Sequence, residues 1–211
     1  MSKESKIPGP TIERLALYSR PLEVLVERGT LLVASDRLAE LCGVNPAQIR
    51  KDLAYFGGFG VRGVGYDTGE LLREIKAILG TDRQWTLCIV GLGNLGSALV
   101  QNENFKERGY RFVVAFDSDP NKVGDIVPGG VPIEQADRIG ELVKTLAIQI
   151  GVITTPPSEA QRVADQLMDA GVKGILNFAP IQIMALECCR VANVDFTLDL
   201  ENLVYHLAEL L

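Results

Sequence analysis

Apolar residues recur at helical spacing through the first third of the chain, then give way to short, solidly apolar runs. Over 11–28, Ile12, Leu15, Tyr18, Leu22, Leu25 and Val26 form one stripe, closed by Gly29. Pro21 lies inside it and is expected to kink or break the helix near Arg20, because proline lacks an N–H and crowds the preceding turn. A second helix is predicted from Ser35, as N-cap, through Leu38, Ala39 and Leu41 to Gly43. A third starts at Asn45, Pro46, Ala47 and Gln48: asparagine as cap, proline at the first helical position, glutamine three residues after the cap. Two short helices around a glycine-containing turn make a helix-turn-helix pattern. On the third helix Ile49 and Leu53 share one face, Ala47, Lys51 and Ala54 point the other way, and Arg50 lies at the edge. Five glycines within 57–65 then surround Phe59, Val61, Arg62 and Val64, which predicts a short hairpin with an arginine near its tip. Leu71, Leu72, Ile75 and Ile78 mark a further amphipathic helix, and the polar 80–84 reads as a linker.

Beyond the linker the pattern changes. Strands predicted at 85–90, 111–117, 147–154 and 174–178 alternate with helices near 94–107, 138–144 and 158–170, the signature of a mostly parallel, doubly wound α/β sheet. The last 18 or so residues form another helix, whose stripe of Leu200, Leu203, Val204, Leu207, Leu210 and Leu211 is too apolar for solvent and is expected to bury against a partner. At the first strand–helix junction stands Gly91-x-Gly93-x-x-Gly96, followed 21 residues later by Asp117 at the end of the second strand. That order is the dinucleotide-binding fingerprint. Gly91 suits the tight turn, Gly93 a close approach of pyrophosphate and Gly96 the packing of helix on strand, while the helix N-terminus offers N–H groups to phosphates. In open α/β sheets ligands lie at carboxyl strand ends, so the turns 154–157 and 177–180 should border the same ligand; their alternative reading is ordinary proline-containing turn chemistry.

Charge alters this picture in one respect. The 211 residues carry a formal net charge of −6, which argues against nucleic acid, yet 1–80 sum to +1 and 81–211 to −7. Within 42–66 stand Arg50, Lys51 and Arg62 against one acid, Asp52, a local balance that a phosphate backbone would sense. No apolar run approaches the roughly 20 residues of a membrane span, and the N-terminus has no signal-like apolar region, so a cytoplasmic protein is expected. The four cysteines, Cys42, Cys88, Cys188 and Cys189, show no metal-ligand spacing and read as free thiols; no metal is expected.

The segments 48–57, 62–66, 91–96, 116–120, 174–180 and 193–196 together resemble the Rex family of redox-sensing transcriptional repressors, over nearly the whole chain. The resemblance implies a homodimer, with a winged helix-turn-helix domain over 1–80, a Rossmann NAD(H)-binding domain over 81–193 and a C-terminal helix, 194–211, exchanged between subunits. It implies binding of palindromic double-stranded operator DNA in the presence of NAD⁺ and release when NADH binds. The DNA-contacting set it marks is Asn45, Ala47, Gln48, Arg50 and Lys51, with Arg62 and Gly63 on the wing. The cofactor set is Gly91, Leu92, Gly93, Asn94, Leu95, Gly96 and Asp117, with Thr154, Thr155 and Pro156 on one turn and Asn177, Phe178, Ala179 and Pro180 on the other. Arg20 and Asp195 match a pair that shifts partner between redox states, beside Phe196, and Asn102 stands where the family commonly shows a tyrosine. A competing reading is an NAD-dependent dehydrogenase with an N-terminal dimerisation domain. Against it, the chain's one histidine, His206, lies in the last helix, and no Tyr-x-x-x-Lys or strand-end Lys or His offers a proton donor. A CoA- or nucleotide-binding module is a third reading, which Asp117 disfavours because it suits a ribose hydroxyl.

Overall fold

The computed structural model describes residues 7–57, 59–60 and 63–208, in two compact units that divide between Arg83 and Gln84. The first unit runs α1 (Gly9–Glu27), β1 (Leu32–Val33), α2 (Ser35–Cys42), α3 (Pro46–Ala54), β2 (Tyr66–Asp67) and α4 (Thr68–Leu79). Its core gathers the stripes read from the sequence: Leu15, Tyr18 and Leu22 of α1 meet Leu38, Ile49, Leu53, Leu71 and Ile75, all essentially inaccessible to solvent. Helix α1 continues through Pro21 without a break. The lost bond at Pro21 is tolerated because Tyr18, Ser19 and Leu22 on the adjoining turns are buried and clamp them in helical form. Ser35 is the first helical residue of α2 and not its cap; Ala34 holds the cap position and makes no side-chain bond there. Asn45 does cap α3, accepting the Ala47 N–H at 2.8 Å. The two-stranded antiparallel sheet pairs Leu32 with Asp67 and Val33 with Tyr66. The expected hairpin within 57–65 falls partly on residues 58, 61 and 62, which lie outside the described residues; of the rest, Gly65 makes a β-bridge directly before β2.

The second unit is a seven-stranded sheet. Its strands are β3 (Trp85–Val90), β4 (Tyr110–Asp117), β5 (Ile126–Val127), β6 (Val131–Gln135), β7 (Ile150–Ile153), β8 (Gly174–Asn177) and β9 (Arg190–Asn193), in spatial order β5-β6-β4-β3-β7-β8-β9. All pairings are parallel except β5 with β6. The helices are α5 (Asn94–Val100), α6 (Glu103–Glu107), α7 (Ile139–Thr145), α8 (Pro157–Ala170) and α9 (Phe196–Ala208). The expected single helix over 94–107 is two, because Asn102 starts α6 as its cap by accepting the Asn104 N–H at 3.0 Å. Alternate residues of β3 feed opposite faces: Cys88 and Val90 join one core, Leu87 and Ile89 the other. A strand covered on both sides reads as a continuous apolar run, which is why β3 was legible. The sheet order reverses between β3 and β7, so a crevice opens at their carboxyl ends. Register keeps those ends level: Val90 pairs with Phe116 and with Ile153, and Ile153 with Asn177.

Candidate functional site

In the second unit the glycine turn is built around Gly91 and Gly96. Gly91 has φ +96°, a conformation that L side chains rarely adopt, and an added Cβ would lie 3.0 Å from the Thr154 carbonyl group. At Gly96 a Cβ would fall 2.1 Å from the Gly91 carbonyl oxygen, so the start of α5 can press onto the turn only without a side chain. Thr154 closes the other side, donating from Oγ1 to the Gly91 carbonyl at 2.6 Å. Gly93 differs. Its φ is −73°, and a Cβ there would meet nothing within 4 Å. The protein itself gives no reason for glycine at 93; space for another molecule would. Beside the turn, the Thr155 hydroxyl is buried and has no hydrogen-bond partner among the described residues. Asn94 and Leu95 occupy the first turn of α5, whose N–H groups have no helical acceptor.

Several of the expected cofactor residues also make bonds within the protein. Asp117 is 8% exposed, and both its oxygens accept internal bonds: Oδ2 from the Leu92 N–H (2.8 Å) and Lys122 Nζ (3.1 Å), Oδ1 from the Asp119 N–H (2.9 Å). Burial works against its charge, but the N–H groups of Asp119 and Leu92 and the Lys122 ammonium outweigh it and hold the carboxyl below its usual range. Leu92 thereby donates its N–H to Asp117 while its carbonyl accepts from Lys122, and its side chain is buried, so its N–H is already engaged within the protein. Asn177 is wholly buried and organises its own turn, donating to Ala179 O, Ile181 O and Asn193 Oδ1 and accepting the Ala179 N–H. Its side chain belongs to the fold, as does buried Ala179. Phe178, half-buried, packs against Phe196 with ring centroids 6.2 Å apart, while Pro156 and Pro180 are exposed. Asp195 serves α9: its Oδ1 accepts the Thr197 N–H at 3.0 Å and the hydroxyl at 2.5 Å.

In the first unit the exposed face of α3 carries Ala47, Arg50 and Lys51. Arg50 reaches back to Ser35 Oγ at 2.7 Å, with Asp36 Oδ1 at 4.0 Å, and so braces α2 against α3; Lys51 meets no carboxylate among the described residues. Gln48 is turned away from that face, donating Nε2 to Asp52 at 2.8 Å. Arg62 lies outside the described residues, next to exposed Gly63. The sequence reading missed what holds α3 in place. Asp52 is entirely buried and accepts from Arg14 Nε (2.6 Å) and Nη2 (2.7 Å), Tyr18 Oη (2.8 Å) and Thr11 Oγ1 (3.2 Å), besides Gln48. Burial alone would raise its pKa, yet the bonds from Arg14, Tyr18 and Gln48 prevail and lower it to about 2.

Cys88 is a core thiol pushed up to about 12 by burial, and burial also raises Cys189. Among the described residues no cluster of His, Cys, Asp or Glu could hold a metal ion, and no helix is long and apolar enough to cross a membrane.

Fold and cradle together define a class: a winged helix-turn-helix unit joined to a doubly wound unit with a dinucleotide-type glycine turn. Family models agree, one for the "CoA binding domain" over 82–181 and one for the "Putative DNA-binding protein N-terminus" over 6–54. The redox-sensing transcriptional repressor Rex of Syntrophobacter fumaroxidans is 56% identical over 206 residues, 98% of either chain. The chain belongs to the Rex family of redox-sensing transcriptional repressors. Two solved structures of the Rex-family repressor RSP are similar over 97% of this chain: one with beta-NAD+ and operator DNA (34% identical, TM-score 0.93, 94% of that chain) and one with beta-NADH (32%, 0.87, 96%).

Proposed function

We infer that this protein is a transcriptional repressor, acting in the cytoplasm, that binds operator DNA as a homodimer and releases it when NADH replaces NAD⁺. The observation that carries this reading is the cradle itself, in which Gly93 faces open space and the Thr155 hydroxyl has no partner among the described residues, on one chain with a helix-turn-helix that presents Lys51. The donor set fits a dinucleotide: first-turn N–H groups of α5 for pyrophosphate, the remaining lone pair on Asp117 Oδ1 for a ribose hydroxyl, and the turns after β7 and β8 at the same sheet edge. Bound there, the cofactor supplies a difference of one positive charge between its oxidised and reduced nicotinamide. Phe178 and Phe196 offer an apolar border that disfavours a buried cation. A full reversal from 1:99 to 99:1 requires about 5.5 kcal/mol of differential affinity between the DNA-binding and DNA-free states. We assign the coupling of the two units to Arg20 and Asp195, and the dimer to exchange of α9.

Two substitutions test the cradle. Gly93→Ala should leave the melting temperature within about 2 °C, since its Cβ meets nothing, and weaken NADH at least about tenfold. Gly96→Ala should fail to form the turn at all. Unchanged NADH affinity in Gly93→Ala would remove the dinucleotide from this turn. On the DNA side, Lys51→Ala should cost about 1–3 kcal/mol of operator affinity in a gel shift on a palindromic fragment, with selectivity lost if Lys51 reads a base edge. A uniform loss over all sequences, with a shallower salt dependence, would restrict Lys51 to phosphate contact. Unaltered binding would leave it a solvated surface residue.

A further inference from the structure

We propose that Lys122 sets the cofactor preference of this site: its ammonium ties the Leu92 carbonyl of the glycine turn to the Asp117 carboxylate and so cancels, inside the protein, the charge that would otherwise repel a 2′-phosphate. The inference rests on reading the cradle as an NAD(H) site. The segment after β4 is wound so that this lysine points back. The Asp119 N–H bonds to Asp117, Asn121 gives both its backbone and side-chain N–H to Asp119 Oδ1, and the Lys122 N–H bonds to the Asp119 carbonyl at 3.0 Å. Lys122 Nζ then lies 3.0 Å from Leu92 O and 3.1 Å from Asp117 Oδ2. An ammonium has three N–H donors, so one remains, on a side chain that is 39% exposed where the Asp117 side chain alone is 10%.

The acid at the end of the second strand is ordinarily credited with rejecting NADP(H). Here that acid is paired. Among the described residues Asp119 meets no cation and its Oδ2 has no partner, so Asp119 is the carboxylate left to oppose a 2′-phosphate. Lys122 works the other way, as a cation within reach of Asp117. It also anchors the carbonyl at the heart of the glycine turn, so its removal should affect both cofactors, but unequally.

The test measures NADH and NADPH affinities by calorimetry for the full chain, with melting curves taken without ligand. In Lys122→Met, NADH should weaken about tenfold through loss of the anchored turn. NADPH should weaken at least about tenfold more, because the unpaired Asp117 charge now adds to that of Asp119. Lys122→Arg should keep the wild-type ratio, and Asp119→Asn should narrow it several-fold. Equal losses of NADH and NADPH in Lys122→Met, or an unchanged ratio in Asp119→Asn, would overturn this inference alone. Absence of NADH binding to the unaltered protein would overturn the NAD(H) reading and the inference with it.

Discussion

Ending the chain after Phe196 is expected to abolish the dimer and operator binding together. Helix α9 has no buried residue, and Phe196, Leu198, Leu200, Leu203, Val204, Tyr205 and Leu207 are 46–63% exposed. Phe196, Leu200, Leu203, Val204 and Leu207 repeat at helical spacing and form one stripe. Burying such a side chain is worth about 1.5–3 kcal/mol, so a stripe of this length cannot remain in water without cost when a second copy offers cover. Two recognition helices in a dimer bind matched half-sites with high effective concentration; a lone unit loses that gain, typically 100-fold or more. Sedimentation should show a monomer, and the gel shift should fail at concentrations that saturate the full chain. A truncated protein that stays dimeric and binds the operator would refute the exchange of α9. Leu203→Asp, which changes one exposed side chain, should reproduce the monomer if the stripe is the contact.

The second large effect lies in the Asp52 cluster. Asp52→Ala should destabilise the DNA-binding unit by about 3–5 kcal/mol, because it leaves the Arg14 guanidinium and the Tyr18 hydroxyl without their acceptor. The chain's one tryptophan, Trp85, lies in the other unit and provides an internal reference. Urea unfolding followed by circular dichroism should gain an early transition, while the Trp85 fluorescence transition stays in place. The same cluster predicts acid sensitivity. Asp52 titrates near 2 in the folded state and near 4 when unfolded, so its contribution of about 2 kcal/mol is complete above pH 4 and is lost as pH falls towards 2. On the alkaline side Tyr18 is held up by burial and by the bond it donates to Asp52. Its contribution is complete below about pH 10 and fades above it. A DNA-binding unit equally stable at pH 2.5 and pH 6 would contradict this assignment.

What the sequence made legible was local or strongly periodic. Strand β3 and the Asn45 cap of α3 stand where their residues placed them, because a doubly covered strand and an Asn-Pro cap are written within a few positions. Strands β5, β6 and β9 were not read. Two residues, Ile126 and Val127, precede Pro128-Gly129-Gly130, Pro132 interrupts β6, and β9 is a partly exposed edge strand that begins at Arg190 and ends at Asn193. The site residues divide in the same way. Gly91 and Gly96 announce themselves by spacing. Asp52 looked like one acid among bases, since its partners Thr11, Arg14 and Tyr18 stand 34–41 positions away. Asp117 carried the right position for ribose, but Lys122, five residues on, could be seen to engage it only once the intervening turn was folded.

The central claim is that one chain joins nicotinamide redox state to DNA release. Its most direct test is fluorescence anisotropy of a labelled palindromic operator fragment saturated with the full-length protein, titrated from all NAD⁺ to all NADH at constant total cofactor and constant salt. The account predicts a fall in anisotropy to that of free DNA as the NADH fraction rises, reversed when NAD⁺ is restored in excess. Anisotropy that stays high across the titration, in a protein that binds both cofactors, would contradict it.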